Sequence, residues 1–136
     1  MDVTLINRDK RRDSPMLMKL NWITLRVRNL EASLGFYHGM LGLPIQRQFE
    51  SRGRQIAMLG TENETMLELI EGSESLLKKD SGVSIGYEVS SLEEAMVQLA
   101  VLNIPIVRGP IQPNPHLRFL YIADPDGFEV QLAEHA

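Results

Sequence analysis

Glu68, Glu88 and Gln131 each lie on a short stretch of sequence in which apolar and polar residues alternate. A carboxylate can serve as a general base, so Glu68 and Glu88 are candidates for a base and its modulator. An amide such as Gln131 can offer its carbonyl oxygen to a ligand. The alternative is that both glutamates are solvated strand carboxylates, and the residues alone leave that choice open.

The stretch that carries Gln131 begins with a turn, residues 124–127 (Asp-Pro-Asp-Gly). Proline fixes φ, aspartate bonds its own backbone, and glycine adopts positive φ without a clash. Alternation then predicts a strand over residues 128–132, with its apolar residues on one face and Gln131 on the other. A similar strand closes the first half of the chain and puts Glu68 in the matching place.

Hydrophobic periodicity predicts the elements of the first half. Alternation predicts a strand over residues 19–28, and apolar residues three and four apart predict a helix over residues 30–41, ended by Gly42. Further strands are predicted at residues 44–50, 55–59 and 65–70. The order is therefore strand, helix and three strands.

The same order recurs after a polar link, residues 71–81. A strand is predicted at residues 83–89, a helix at 92–102, and strands at 104–108, 116–123 and 128–132. Prolines at 110, 113 and 115 predict a long loop before the strand at 116–123. His116 in that loop could act as part of a lid over a binding cleft.

Three landmarks indicate that the second half duplicates the first. Leu30 matches Leu92 (offset 62), Pro44 matches Pro105 (offset 61), and Leu69 matches Leu132 (offset 63). The predicted fold is α+β, with two tandem βαβββ modules whose sheets curve around a cleft. One face of each sheet should pack under a helix, which leaves the opposite residues to line the cleft. Those residues are Trp22, Thr24, Arg26, Met66, Glu68, Ile70, Ser84, Gly86, Glu88, Glu129 and Gln131.

The paired modules, the run Phe36-Tyr-His-Gly-Met-Leu-Gly-Leu43 and the Asp-Pro-Asp-Gly-Phe turn ending at Phe128 resemble the vicinal oxygen chelate superfamily. That group contains lactoylglutathione lyases (glyoxalase I), extradiol dioxygenases, fosfomycin-resistance enzymes and metal-free bleomycin-binding proteins. The resemblance covers residues 19–134. It implies a small-molecule ligand and a homodimer.

In the metal enzymes of that superfamily, the ligands come from the first and last strands of each module. The resemblance puts Trp22, Glu68, Ser84 and Gln131 at those positions. Tryptophan has no lone pair to give and a serine hydroxyl is a poor metal ligand, so we expect no bound metal and no other cofactor. A divalent metal held by this degenerate set is the alternative.

The other candidate ligand-binding residues are Trp22, Arg26 and His116. Arg26 falls where glyoxalase-like sequences also carry an arginine, which suits an anionic group. Trp22, the only tryptophan, is either a stacking platform for a ring-bearing ligand or a plug that fills the vacated metal position.

Bulk composition limits the function classes. The chain has 136 residues, a net charge of −4 and no cysteine, which excludes disulfides and thiolate sites and gives no reason to expect nucleic acid. The sequence contains no apolar run long enough for a membrane span. We expect a cytoplasmic protein with a mobile N-terminal extension at residues 1–16 and one domain at 17–136, made of modules at about 17–72 and 82–136.

The favoured function is metal-independent binding of a small anionic or ring-bearing molecule in the cleft. The alternative is a divalent-metal-dependent lyase, isomerase or dioxygenase of glyoxalase I type. A third hypothesis is a scaffold whose cleft serves only dimerisation. The sequence thus leaves open whether the protein is an enzyme.

Overall fold

The computed structural model describes residues 16–72 and 83–136. The predicted mobile extension, apart from Met16, lies outside the described residues, as does the predicted link beyond Gly72.

The first module is a strand, a helix and three strands, as predicted. Its strands form one sheet in the order β1-β4-β3-β2, in which β1 and β4 are parallel and the other pairs are antiparallel. The bounds are β1 Trp22–Val27, α1 Leu30–Leu34, β2 Ile45–Ser51, β3 Arg54–Leu59 and β4 Met66–Glu71.

The second module repeats this plan, with its sheet in the order β5-β8-β7-β6 and β5 parallel to β8. Its bounds are β5 Ser84–Glu88, α2 Leu92–Val101, β6 Arg108–Asn114, β7 Leu117–Ala123 and β8 Glu129–His135. The predicted α+β fold of two tandem βαβββ modules is therefore confirmed.

The predicted strand at residues 104–108 and the long proline loop after it are wrong. Residues 104–106 have no regular structure, and Pro110 and Pro113 lie within β6. Because β6 is an edge strand, part of its backbone N–H groups need no partner in the sheet, so proline is tolerated there.

The helix predicted over residues 30–41 is also corrected. α1 is regular only to Leu34 and continues as a π-helical turn, Gly35–Met40. A comparison of the two modules explains this π-helical turn. Matching residues are 62 positions apart at Leu30 but only 61 positions apart at Pro44. The first module therefore holds one extra residue in this interval, and a π-helical turn accommodates a single insertion.

Both helices begin with the same hydrogen bonds. Asn29 and Ser91 cap the first turns of α1 and α2 through their side chains. The first helical N–H of each helix donates to a glutamate of the last strand: Leu30 N to Glu71 at 2.8 Å and Leu92 N to Glu134 at 2.7 Å. This repeated arrangement supports the duplication of the chain.

The apolar faces of both sheets pack under the helices and form one core, which includes Leu25, Val27, Leu69, Val130 and Leu132. The modules meet through a buried hydrogen bond, in which the Tyr37 hydroxyl donates to Asp124 Oδ2 at 2.7 Å. Arg28 also pairs with Asp126 at 3.0 Å. No helix within the described ranges is long and apolar enough to cross a membrane.

Candidate functional site

The face of the first sheet that turns away from α1 carries the predicted cleft residues of the first module. We call it open face 1. Thr24 on β1 lies beside Glu68 on β4, and the Thr24 hydroxyl donates to Glu68 Oε1 at 2.6 Å. Trp22 and Arg26 lie on the same side of β1, because side chains two residues apart share a face. The structure thus brings three predicted site residues, Trp22, Arg26 and Glu68, onto one surface.

The corresponding face of the second sheet, open face 2, carries Ser84, Gly86 and Glu88 on β5 and Gln131 on β8. Gln131 pairs with Gly86 in the register, as Glu68 pairs with Thr24. A Cβ added at Gly86 would lie 2.9 Å from Gln131 Oε1, so glycine makes room for this amide. Gln131 Nε2 in turn donates to the Tyr121 hydroxyl at 3.0 Å.

Sequence reasoning missed two arginines that stack on aromatic rings, one on each open face. The Arg47 guanidinium lies 4.4 Å from the centre of the Phe49 ring, and that of Arg108 lies 3.9 Å from the centre of the Tyr121 ring. Arg108 also pairs with Glu129 at 2.6 Å. Arg47 and Arg108 stand at matching positions of the repeat, at an offset of 61. This match in the sequence could have indicated that both arginines have a role, because the repeat retains a cation at the same position in both modules.

Three further arginines gather at one end of the first sheet. Arg28 follows β1, Arg52 lies in the tight turn between β2 and β3, and Arg54 begins β3; together with Glu71 they line a depression beside Gly72. Arg28 is paired with Asp126, whereas the side chains of Arg52 and Arg54 make no hydrogen bond or ion pair with any described residue. Arg26, opposite Ile70, lies on the same end of open face 1. This end can therefore attract an anion.

Trp22 is 51% exposed and pairs with Met66 in the sheet. Its indole therefore fills no cavity of this chain among the described residues. Arg26 is likewise exposed and makes no ion pair with a described residue. Both side chains are available to a molecule lying on open face 1.

Glu88 is held by hydrogen bonds from His135 near the C-terminus. His135 belongs to β8, and its Nδ1 lies 2.7 Å from Glu88 Oε1 while its backbone N–H donates to Oε2 at 3.0 Å. These hydrogen bonds from His135 lower the pKa of Glu88. The carboxylate that we considered as a base or its modulator is therefore already engaged within its own sheet.

The prediction that His116 lies in a long loop over the cleft is wrong. His116 occupies the short turn between β6 and β7, where its N–H donates to Asn114 Oδ1 at 2.8 Å and its carbonyl accepts from the Ala136 N–H at 2.9 Å. The turn is short because β6 extends to Asn114. His116 is therefore held at the tip of a hairpin and forms no lid.

The four positions that the resemblance assigns to metal ligands hold few strong donors. Trp22 and Ser84 offer no effective donor. Glu68 is the one carboxylate of the set and already accepts from Thr24, while Gln131 is held by Tyr121. Within residues 16–72 and 83–136, no three histidine, aspartate or glutamate side chains come together as a possible metal site.

The two open faces have separate hydrogen-bond networks among the described residues. No hydrogen bond or ion pair between described residues links the Glu68 surface to the Gln131 surface; each network closes within its own sheet. The placement of Glu68 and Gln131 in one common cleft thus stays a prediction.

Comparison with known proteins gives a family and two curated relatives. Residues 19–132 match the Glyoxalase/Bleomycin resistance protein/Dioxygenase superfamily. The lactoylglutathione lyases of Neisseria meningitidis serogroups A and B are each 31% identical over 127 residues, which span 86% of this chain and 91% of those proteins.

Solved structures share the fold at lower identity. TnmS3, an antibiotic binding protein from Streptomyces sp. CB03234, has a TM-score of 0.74 at 14% identity, covering 90% of this chain and all of its own. Glyoxalase I of Leishmania major has a TM-score of 0.74 at 22% identity, covering 87% of each chain. The fosfomycin resistance protein FosX of Listeria monocytogenes has a TM-score of 0.73 at 16% identity, covering 89% of this chain and 96% of its own. At these identities the likeness speaks for the fold alone.

Proposed function

Because the chain belongs to the Glyoxalase/Bleomycin resistance protein/Dioxygenase superfamily, as its resemblance predicted, we propose that it binds a small anionic or ring-bearing molecule on its open faces without a metal. The observation that carries this proposal is the donor set: one carboxylate, Glu68, stands among four positions where metal enzymes need several strong ligands. A ligand would therefore be held by the protein's own charges, hydrogen bonds and rings.

The charges at one end of the first sheet support an anionic group. Arg26, Arg52 and Arg54 are free of ion pairs with described residues, and they lie toward one end of the sheet. A carboxylate or phosphate there would gain charge-assisted hydrogen bonds, which are stronger than neutral ones. The rings of Trp22 and Phe49 on the same face could take the apolar part of such a molecule.

Elemental analysis of protein purified without chelators tests the absence of metal. We expect far less than one Zn²⁺, Ni²⁺ or Fe²⁺ per chain, and mass spectrometry of the same sample should reveal any co-purifying organic ligand. One metal per chain, lost in Glu68→Ala but retained in the exposed control Glu62→Ala, would contradict the proposal.

The alternative function is a metal-dependent lyase, and the 31% identity to the Neisseria lactoylglutathione lyases favours it. It requires the degenerate set to bind a metal that is added. A lactoylglutathione lyase assay with and without added Ni²⁺ or Zn²⁺ separates the two functions. Metal-dependent turnover that Glu68→Gln abolishes would establish the lyase.

We also propose a homodimer, since the resemblance implies one and each chain leaves both open faces uncovered among its described residues. Sedimentation equilibrium measures this directly, and a monomer at micromolar concentration would refute it.

Trp22 tests whether open face 1 is a binding surface. Phenyl phosphate combines a ring with an anion, so it should change Trp22 fluorescence saturably. Trp22→Ala should weaken that binding, yet cost less than about 1 kcal/mol of unfolding free energy, because the indole is half exposed. If Trp22 were a plug, the same change would cost roughly 3–5 kcal/mol.

The arginines provide the matched pair for this experiment. Arg26→Gln should weaken phenyl phosphate binding, whereas Arg118→Gln should not, since Arg118 pairs with Glu93 of α2. Equal effects of the two changes would mean that only the overall charge of the protein matters.

A further inference from the structure

A pocket of about 380 Å³ lies mainly on the helix side of the second sheet, and Glu88 at the end of β5 also lines it. It opens between the end of the π-helical turn at Met40 and Leu41 and the inner side of α2 at Ala95 and Leu99. This volume falls within the range of small-molecule sites in proteins.

The matching place in the first module is filled. Tyr37 corresponds to Leu99 at the offset of 62 that also relates Leu30 to Leu92. The two residues make equivalent backbone hydrogen bonds: the Tyr37 carbonyl accepts from the Leu43 N–H, and the Leu99 carbonyl accepts from the Ile104 N–H. Leu43 and Ile104 each precede a proline.

Tyr37 is fully buried, and its hydroxyl crosses to Asp124 in the other module. Leu99 is shorter and has no hydroxyl, so it cannot make the equivalent contact. The junction between the modules is therefore closed on the Tyr37 side and leaves a pocket on the Leu99 side.

Tyr87 gives this pocket one polar contact. It lines the pocket, and its hydroxyl makes no hydrogen bond with any residue in the described parts of the chain. Burial raises the pKa of Tyr87 above its usual value, and the neutral phenol can donate a hydrogen bond. Tyr87 is half-buried, and a hydroxyl that has no partner among the described residues can donate to a ligand in this pocket.

The remaining walls define the ligand's chemistry. Leu41, Leu43 and Leu99 supply apolar surface. The polar residues of the lining are Glu88, Ser90, Ser91, Glu94 and Gln98. Sites that are mostly apolar with a few polar groups suit small ring-bearing molecules. The two glutamates disfavour the anions that suit open face 1.

We propose that this pocket is a second binding site, which takes a small neutral ring-bearing molecule whose one polar group accepts a hydrogen bond from Tyr87. This site goes beyond the proposed function, because it rests on Tyr87, Leu41 and Leu99 under α2 and takes a ligand of different charge.

Two probes that differ in one group test the site by ¹⁹F NMR: 4-fluoroacetophenone, which has an acceptor carbonyl, and 1-ethyl-4-fluorobenzene, which lacks it. Both should bind saturably, the ketone more tightly, without changing Trp22 fluorescence. Amide shifts in the wild type should move at Ala95 and Leu99. No saturable binding, or shifts confined to the open faces, would overturn the proposal.

Variants then separate the two features of the site. Tyr87→Phe should weaken the ketone by about 3- to 10-fold, the value of one neutral hydrogen bond, and leave the ethyl compound unchanged. Tyr121→Phe, which alters the tyrosine of open face 2, is the matched control and should change neither. Equal weakening of the ketone by both changes would refute the role of Tyr87.

Ala95→Leu adds volume inside the pocket and should reduce binding of both probes at least tenfold. Circular dichroism and the urea midpoint show whether this variant folds; if it does not, the Tyr87→Phe comparison and the wild-type shifts still decide. Sedimentation of the wild type tests whether a second copy of the chain occupies the pocket instead. In that case both probes would stop binding as the dimer forms, and this result would refute a small-molecule site.

Discussion

The two modules are alike where the backbone needs them to be alike and different where their open faces meet solvent. Both use a parallel pairing of first and last strands, a side-chain cap, and a glutamate that accepts from the first helical N–H. At matching positions of the repeat, however, the residues on the open faces differ. Trp22 corresponds to Ser84, Arg26 to Glu88, and Glu68 to Gln131. The duplication thus preserves the scaffold and lets each surface acquire its own chemistry.

The junction between the modules is also unequal, and breaking its closed side should have the largest effect. Asp124 is 5% exposed and accepts from the Tyr37 hydroxyl and from the N–H groups of Asp126 and Phe128. Asp124→Ala leaves these donors without a partner and should cost about 2–4 kcal/mol of unfolding free energy, measured by urea denaturation.

Thr61 is the matched control, since it occupies the equivalent turn between β3 and β4 at an offset of 63. Its side chain makes no hydrogen bond with a described residue, so Thr61→Ala should change stability by less than about 0.5 kcal/mol. Similar losses in Thr61→Ala and Asp124→Ala would show that the junction is symmetric after all.

Helix starts provide the opposite test, because here the modules should respond equally. Glu71→Ala and Glu134→Ala each remove a charge-assisted hydrogen bond to a helix N-terminus, and each should cost about 1–2 kcal/mol. Glu62→Ala, at an exposed turn, controls for loss of charge alone. A loss of unfolding free energy in only one of these two variants would mean that the two hydrogen bonds contribute unequally to stability despite their equivalent geometry.

Much of this comparison was visible in the sequence, because period-two alternation reports which face of a strand is buried. Leu25 and Val27 are buried and Trp22 and Arg26 exposed, as the pattern required. The duplication was visible too, and its change of offset between Leu30 and Pro44 matches the extra residue that the π-helical turn accommodates.

The features that could not be predicted from the sequence depend on the order of the strands in each sheet. Pro110 looked like a loop residue because nothing local says that β6 is an edge strand. The contact of Arg108 with Tyr121 and Glu129 joins three strands, and so requires the order of the sheet. Likewise His135 meets Glu88 only because β8 extends beyond the predicted residue 132.

Glu88 and His135 provide the smallest effect and the finest test of how the open faces differ. The matching residue of the first module, Arg26, is an unpaired cation among the described residues, whereas Glu88 is held by His135. Hydrogen bonds from His135 hold the pKa of Glu88 below its usual 4.5 in the folded protein. A carboxylate whose pKa is lowered by folding stabilises the folded state above its unfolded pKa. That contribution is lost as the pH falls through the lower, folded pKa.

Glu88→Gln should therefore lower the urea midpoint slightly at pH 7, and the difference from the wild type should vanish as the pH falls below 4.5 toward the folded pKa. Because both side chains are exposed, added salt should shrink the difference at pH 7. His135→Asn should produce a similar loss, and the double variant little more than either single one. Glu94→Gln, an exposed glutamate of α2 with no side-chain partner among the described residues, should show no such pH dependence. A difference that persists unchanged at low pH would mean that Glu88 stabilises open face 2 through its shape and not through its charge.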